Sequence, residues 1–214
     1  MNRKKQIISL YANSNIKRVL DIVLSIIIIV ISSPAYLILY FGVLITSGSP
    51  VFFIHKRSGK NGKTIGVIKF RSMINGASRM QHKYAKQNES DGPTFKIQND
   101  PRFTKIGRIL SKTGMDELPQ FFNVLKGDMS IVGPRPLPVN EADKLSINDK
   151  IREVVKPGIT SMWVINGTHK LSFKKWMYLD KKYIQDASLK LDLFIIYKTF
   201  KLTLYSIYLQ FVNH

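Results

Sequence analysis

The 214-residue sequence contains no cysteine. That absence excludes disulfides, a thiolate nucleophile and cysteine-ligated zinc together. Acidic residues are scarce: 14 Asp and Glu stand against 33 Lys and Arg, a formal charge of +19. The histidines, His55, His82, His169 and His214, show no metal-ligand spacing. Also missing are the phosphate loop G-x-x-x-x-G-K-[ST], the dinucleotide fingerprint G-x-G-x-x-G and the nucleophile elbow G-x-S-x-G. No internal repeat or low-complexity tract argues for a second independent domain. Hydrophobic residues make up 44% of the chain and aromatic ones 11%, which excludes a disordered chain and leaves material for a core. A mean hydropathy of −0.05 beside that charge requires apolar and basic residues to be segregated along the chain. Such a chain suits a membrane surface at least as well as a nucleic acid.

The apolar residues concentrate between Val19 and Ile45, where Asp21 is the only charge and Ser25, Ser32 and Ser33 are the other polar groups. A run of this length can span a bilayer, which takes roughly 20 apolar residues. Pro34 removes a backbone donor near its middle, so a break is expected at Ser33-Pro34, with the serine hydroxyls re-satisfying the freed backbone. Basic residues flank both ends: Arg3, Lys4, Lys5, Lys17 and Arg18 before, His55, Lys56, Arg57, Lys60, Lys63, Lys69 and Arg71 after. Cytoplasmic flanks collect Lys and Arg. A re-entrant helix that returns to one anionic face satisfies both flanks; a kinked span is the alternative. A secretory signal fits less well, because no small-x-small cleavage site follows.

Beyond Pro50, Val51–His55 and Thr64–Phe70 flank Asn61-Gly62 and predict a β-hairpin. Residues 72–87 have helical spacing but few apolar positions, and 88–93 read as a loop. Short helices are expected over 103–111 and 116–126, the second stopped by Gly127, with a polar helix over 141–155. The aromatic and lysine-rich stretch from Ser172 to Val212 reads either as amphipathic helix in a membrane interface or as helix packed on the core.

The densest cluster of chemistry-bearing residues runs from Lys112 through Asp116, Glu117 and Pro119 to Asn123, Gly127-Asp128 and Gly133-Pro134-Arg135-Pro136. Adjacent carboxylates before a helix commonly serve as N-caps and dipole partners. The functional alternative is that one attacks phosphorus while its neighbour holds Mg²⁺. Lys69 and Arg71 fall two residues apart on one strand, a placement suited to a diphosphate or to a solvated edge.

These residues closely resemble the bacterial sugar transferase family, the monotopic polyprenyl-phosphate phosphoglycosyl transferases. The resemblance covers nearly the whole chain: Lys17-Arg18 and Asp21, Ser33-Pro34, VFFIHKRSGKNGK, Lys69–Met73, Gly92-Pro93, Asn99–Arg102, MDELPQFFNVLKGDMSIVGPRPL, KPGIT and Trp176 through Asp180 to Tyr183. The ordered run DELPQ, NVLKGDMS and VGPRP is highly specific. The resemblance implies the short form of the family: a mostly helical α+β fold with a re-entrant helix over residues 1–50, a small hairpin, interfacial amphipathic helices, and a catalytic domain over 51–214 on the cytoplasmic face of the bacterial inner membrane. It implies transfer of sugar 1-phosphate from a nucleotide diphosphate sugar, a UDP-sugar, to undecaprenyl phosphate with loss of UMP, the first membrane step of capsule, exopolysaccharide or lipopolysaccharide assembly. Asp116 would be the nucleophile, Glu117 with Asp116 the Mg²⁺ ligands, and Lys69, Arg71 and Arg135 the cations around the diphosphate. Asp192 matches an acidic active-site position of the family; by position alone it is equally a charge on the polar face of a C-terminal helix.

Two positions depart from the family pattern. Ser111, beside Lys112, stands where many members carry Arg, and Thr168 replaces another Arg within an altered stretch where Trp163 is displaced. His169 and Lys170 are available to supply the missing charge. Anionic lipid headgroups are the further partner of the basic surface; nucleic acid is not expected, and homodimerisation is left open. The rival reading is a membrane-anchored basic binding or scaffold protein without catalysis.

Overall fold

Ser14 accepts a hydrogen bond from the Lys17 backbone N–H (3.1 Å) and thereby starts helix α1, Asn15–Ser47. This computed structural model describes residues 8–167 and 171–212; Arg3, Lys4, Lys5, Thr168, His169 and Lys170 lie outside the described residues. Helix α1 continues through Pro34 as one helix, where the sequence predicts a break. The proline cannot donate to the Val30 carbonyl four residues back, and Ser33 Oγ donates there instead at 2.8 Å. Ser32 Oγ donates likewise to the Ile28 carbonyl at 2.5 Å. These local bonds let the helical path survive the imino acid. Much of the surface of α1 is apolar and exposed, including Val30, Ile31, Leu37, Ile38 and Ile45, and among the described residues it is the helix long and apolar enough to cross a membrane.

Both halves of α1 are tied to the rest of the chain. On the N-terminal side, Lys17 Nζ pairs with Asp192 Oδ2 at 2.6 Å and lies 3.6 Å from Asp21 Oδ1. Asp192 also accepts from the hydroxyls of Tyr11 (3.1 Å) and Tyr183 (2.9 Å), and Asp21 Oδ1 accepts the Ile131 N–H at 3.0 Å. Arg18 donates to the Val124 and Leu125 carbonyls. On the C-terminal side, Tyr36 donates to the Leu118 carbonyl (2.5 Å), and Val43 packs with Val51, Phe70 and Leu110. Lys17 is 5% exposed and Asp192 fully buried, so Lys17→Met strands a buried carboxylate. That change is expected to cost about 3 kcal/mol or more, read as a lower thermal midpoint in detergent, and Lys17→Met/Asp192→Asn is expected to recover part of it.

Strands β1 (Phe52–Ser58) and β2 (Thr64–Phe70) form the predicted antiparallel hairpin, in register from Phe52 opposite Phe70 to Ser58 opposite Thr64. Asn61 (φ 56°) and Gly62 (φ 73°) supply the left-handed residues that turn the chain. Ile65 and Val67 enter the main core with Phe121, Val124, Met129 and Tyr183, while Phe70 enters the cluster around Val43.

Helix α2 (Lys105–Thr113) leads through left-handed Gly114 (φ 74°) into a 3₁₀ turn, Met115–Glu117, and then α3 (Gln120–Lys126), which Gly127 ends (φ 94°). Strand β3 (Ser130–Val132) pairs in parallel with β4 (Gly158–Thr160). Between them the expected polar helix over 141–155 gives way to short α4 (Val139–Ala142) and a 3₁₀ segment, Lys150–Val154. Ser146 explains the interruption: its hydroxyl accepts the Asp149 N–H (3.2 Å) and donates to the Asp149 carboxylate (2.7 Å), closing a local turn. The stretch with helical spacing over 72–87 likewise yields only a 3₁₀ segment, Gln81–Gln87. Helices α5 (Met162–Ile165), α6 (Phe173–Asp186) and α7 (Leu189–Val212) complete a mostly helical fold around the small antiparallel hairpin. Helix α7 leaves Phe194, Tyr197, Phe200, Tyr205 and Tyr208 exposed.

Candidate active site

Asp116 and Glu117 sit in the 3₁₀ turn between α2 and α3, and neither caps a helix: Gly114 precedes the turn and Pro119 occupies the N-cap of α3. The ordinary capping role is therefore not what the pair does. Asn123 docks strand β2 beside them. Its side chain accepts from the Ile68 N–H (2.9 Å) and donates to the Gly66 carbonyl (2.7 Å), binding both kinds of edge group in β2. Lys69, the residue after Ile68, thus reaches Glu117 Oε1 at 2.6 Å and stands 3.7 Å from Asp116 Oδ2.

Arg135 arrives from the loop after β3. Gly133 and Gly158 cross there so closely that a Cβ on Gly158 would lie 2.1 Å from the Gly133 nitrogen. Arginines hold this loop by its carbonyls: Arg57 donates to Pro136 (3.0 Å) and Arg152 to Arg135 (2.6 Å). Buried Asp180 fixes Arg152 at 2.8 Å. Arg135 then grips Glu117 with both terminal nitrogens, at 2.5 and 3.3 Å, while its guanidinium lies over the Trp163 ring at 5.6 Å. Such forked, charge-assisted bonds are geometrically demanding.

Burial pushes Asp116 up to about 6, with the Glu117 charge adding to the shift and Lys69 opposing it. Against the same upward push of burial, Arg135 and Lys69 hold Glu117 well below the usual carboxylate range. The two neighbours are therefore chemically distinct: the cations favour the ionised form of Glu117, while burial makes Asp116 the easier of the two to protonate. Burial, with Arg57 and Lys69 nearby, lowers His55 to about 3, so it stays neutral at working pH.

Of the predicted site residues, the fold gathers Asp116, Glu117, Lys69 and Arg135. Arg71 is elsewhere: β2 ends at Phe70, and the Arg71 guanidinium turns to the Ser47 and Gly48 carbonyls at the C-terminus of α1, with Asn75 as its third partner. The negative end of that helix outcompetes a position beside Lys69. Asp192 is in the Lys17 network, where it joins α7 to α1. Ser111 and Lys112 are exposed on α2. Arg57, Arg152, Asp180 and Trp163 are the supporting residues that sequence reasoning did not assign. Alternation along the hairpin gave one signal, since Arg57 shares the sheet face of Lys69 once Asn61-Gly62 fixes the register.

Among the described residues no three or more His, Asp or Glu side chains converge as a metal cage. The adjacent carboxylates nevertheless fit Mg²⁺, which takes one or two carboxylates and fills its shell with water and phosphate oxygens. Paired carboxylates and paired cations beside an exposed apolar helix define a site suited to a phosphorylated ligand at a lipid surface.

The chain belongs to the bacterial sugar transferase family, whose model matches residues 12–206. Undecaprenyl-phosphate galactose phosphotransferase of Salmonella typhimurium is 38% identical over 196 residues, 88% of this chain and 40% of the relative. UDP-glucose:undecaprenyl-phosphate glucose-1-phosphate transferase of Escherichia coli is 42% identical over 196 residues, 87% of this chain and 40% of the relative. The exopolysaccharide production protein ExoY of Sinorhizobium fredii is 37% identical over 190 residues, 86% of this chain and 83% of the relative. The chain thus spans about two fifths of the length of the first two relatives and most of the third.

Proposed function

We propose that this chain transfers sugar 1-phosphate from a UDP-sugar to undecaprenyl phosphate, releasing UMP, through a covalent intermediate on Asp116. The observation that carries the reading is the meeting of buried Asp116 and half-buried Glu117 with Lys69 and Arg135. In the first step an Asp116 carboxylate oxygen bonds to the phosphorus that bears the sugar. The bond from that phosphorus to the UMP oxygen breaks, and its electron pair leaves with UMP. In the second step a phosphate oxygen of the lipid bonds to the same phosphorus, and Asp116 departs as carboxylate. No general base is needed, because a carboxyl group titrating at about 6 is mostly ionised at neutral pH. Lys69 and Arg135 offset its repulsion from the diphosphate and stabilise charge moving to the leaving group. Held by Glu117 and Asp116, Mg²⁺ would supply further charge neutralisation. The direct test is Mg²⁺-dependent UMP release from UDP-glucose or UDP-galactose in the presence of undecaprenyl phosphate; no release with any UDP-sugar would favour a non-catalytic binding protein.

Protonated Asp116 is no nucleophile. Its pKa is raised, so activity is expected to be lost as pH falls through about 6. Raising Mg²⁺ is expected to move that acid limb to lower pH, since a cation favours the ionised carboxylate; a limb indifferent to Mg²⁺ would separate the metal from Asp116.

The reading extends to the membrane. The apolar stretch of α1 inserts from the cytoplasmic face of the inner membrane and the chain beyond it forms the catalytic domain on that face, where the lipid phosphate lies and where basic residues meet anionic headgroups. Lys17 and Asp21 bind the body on one side of Pro34, and Tyr36 and Val43 bind it on the other, which supports a placement with both ends of α1 on one face of the membrane rather than a span. With no native cysteine to interfere, Asn2→Cys and Lys56→Cys are expected to react with an impermeant thiol reagent from the same side of sealed vesicles. Labelling from opposite sides would establish a span.

A further inference from the structure

The loop over residues 88–98 and the helices α5 and α6 enclose a cavity of about 220 Å³ that the transfer chemistry does not use. Its wall carries Trp163, Trp176 and Phe173 together with Glu89, Ser90 and Asp91. Trp163 and Trp176 stack at 4.4 Å with an interplanar angle of 21°, and Phe173 meets Trp176 edge-on at 6.3 Å. In a chain with 14 acidic residues against 33 basic ones, two of the acids face one cavity. Each is fixed by a backbone donor: Asp91 Oδ1 accepts from the Phe173 N–H (2.7 Å) and Glu89 Oε1 from the Gln98 N–H (3.1 Å). Carboxylates held in this way are preorganised acceptors.

We infer that this cavity receives the sugar ring of the donor, with Asp91 and Glu89 accepting from its hydroxyls and the aromatic wall covering its apolar face. The inference rests on the transfer reading for the identity of the donor. Three considerations select the sugar over the other parts of a sugar nucleotide. A phosphate is disfavoured by two carboxylates that outnumber the wall's one cation among the described residues, Lys96, which already interacts with both of them. Uracil offers mostly carbonyl acceptors, which the carboxylates cannot pair, whereas a hexose offers several hydroxyl donors. Connectivity agrees: the sugar is bonded to the phosphorus that Asp116 attacks, and Trp163, a wall of the cavity, lies directly against Arg135, which holds Glu117. The base is separated from that phosphorus by a second phosphate and a ribose.

Trp163 and Trp176 are the only tryptophans in the chain, so its fluorescence reports on this cavity without requiring turnover. Titrating the full chain in detergent with UDP-glucose and UDP-galactose is expected to change the emission, and UMP is expected to leave it nearly unchanged. Asp91→Asn and Glu89→Gln keep the oxygens that accept from Phe173 and Gln98, so folding is preserved while the recognition charge is lost. Each is expected to change the ratio of affinities for the two UDP-sugars by about tenfold and to leave competition by UMP as in the wild type. Emission changed equally by UMP and by the UDP-sugars, with both variants weakening UMP binding, would assign the cavity to the base and overturn the inference. An unchanged sugar ratio in both variants, or no emission response to either UDP-sugar, would overturn it too. Failure of the transfer reading looks different: the UDP-sugars would still change the emission of a wild-type protein that releases no UMP.

Discussion

Asp116→Asn is expected to lower UMP release at least about a thousandfold, the scale associated with removing a nucleophile. The substitution is nearly isosteric and removes a charge from a residue only 5% exposed, whose closest charged partner, Lys69, stands at 3.7 Å. No packing is lost, and the desolvation that pushes the carboxyl up to about 6 is relieved, so the variant should unfold no earlier than the wild type. Loss of rate without loss of stability separates chemistry from folding. A carboxamide has neither the charge nor the electron density to displace UMP. Near wild-type release from this variant would remove Asp116 from the reaction.

Glu117→Gln is expected to cost a similar factor, about a thousandfold, by a different route. Glu117 receives Lys69 at 2.6 Å and both terminal nitrogens of Arg135. A neutral amide can satisfy only part of this set, and its own N–H group faces a donor that has no acceptor capacity. Lys69 and Arg135 are then left facing each other with less opposing charge, and the carboxylate that would share Mg²⁺ is gone. Asp116 survives in this variant, so slow formation of a covalent adduct is expected to persist where Asp116→Asn shows none. An equally complete loss of adduct in both variants would mean that Glu117, too, is needed for the first bond to form. Full activity in Glu117→Gln would contradict its role outright.

The hairpin was legible because Asn61-Gly62 supplies two left-handed residues between β-forming runs, a local requirement that few sequences meet by accident. The long apolar helix was legible from composition alone. The break at Ser33-Pro34 is not in the fold: the serine bonds expected there form, Ser33 to Val30 and Ser32 to Ile28, but the helix runs on through Pro34. Parity along β2 paired Lys69 with Arg71, but the strand ends between them and Arg71 serves a helix terminus 23 residues earlier in the chain. Asp192 and Lys17 are 175 residues apart, and only the folded chain shows that they neutralise one another. Strands β3 and β4 are three residues each, too short for a periodicity, yet their pairing aims the loop that carries Arg135.

The carboxylate pair itself was singled out through the resemblance, whereas local pattern favoured capping. The fold speaks against capping by seating Pro119 at the N-cap of α3, and it draws Lys69 and Arg135 onto the pair. The supporting shell, Arg152 with Asp180 and Arg57 on the Arg135 loop, depends on contacts between distant segments and emerged only in three dimensions.

Intact-protein mass spectrometry tests the central claim most directly. Wild-type protein incubated with a UDP-sugar and Mg²⁺, without lipid acceptor, is expected to gain the mass of one sugar phosphate, to lose it when undecaprenyl phosphate is added, and to show no gain as Asp116→Asn. UMP release with no adduct on the wild-type chain, or an adduct that still forms on Asp116→Asn, would contradict a covalent intermediate at Asp116.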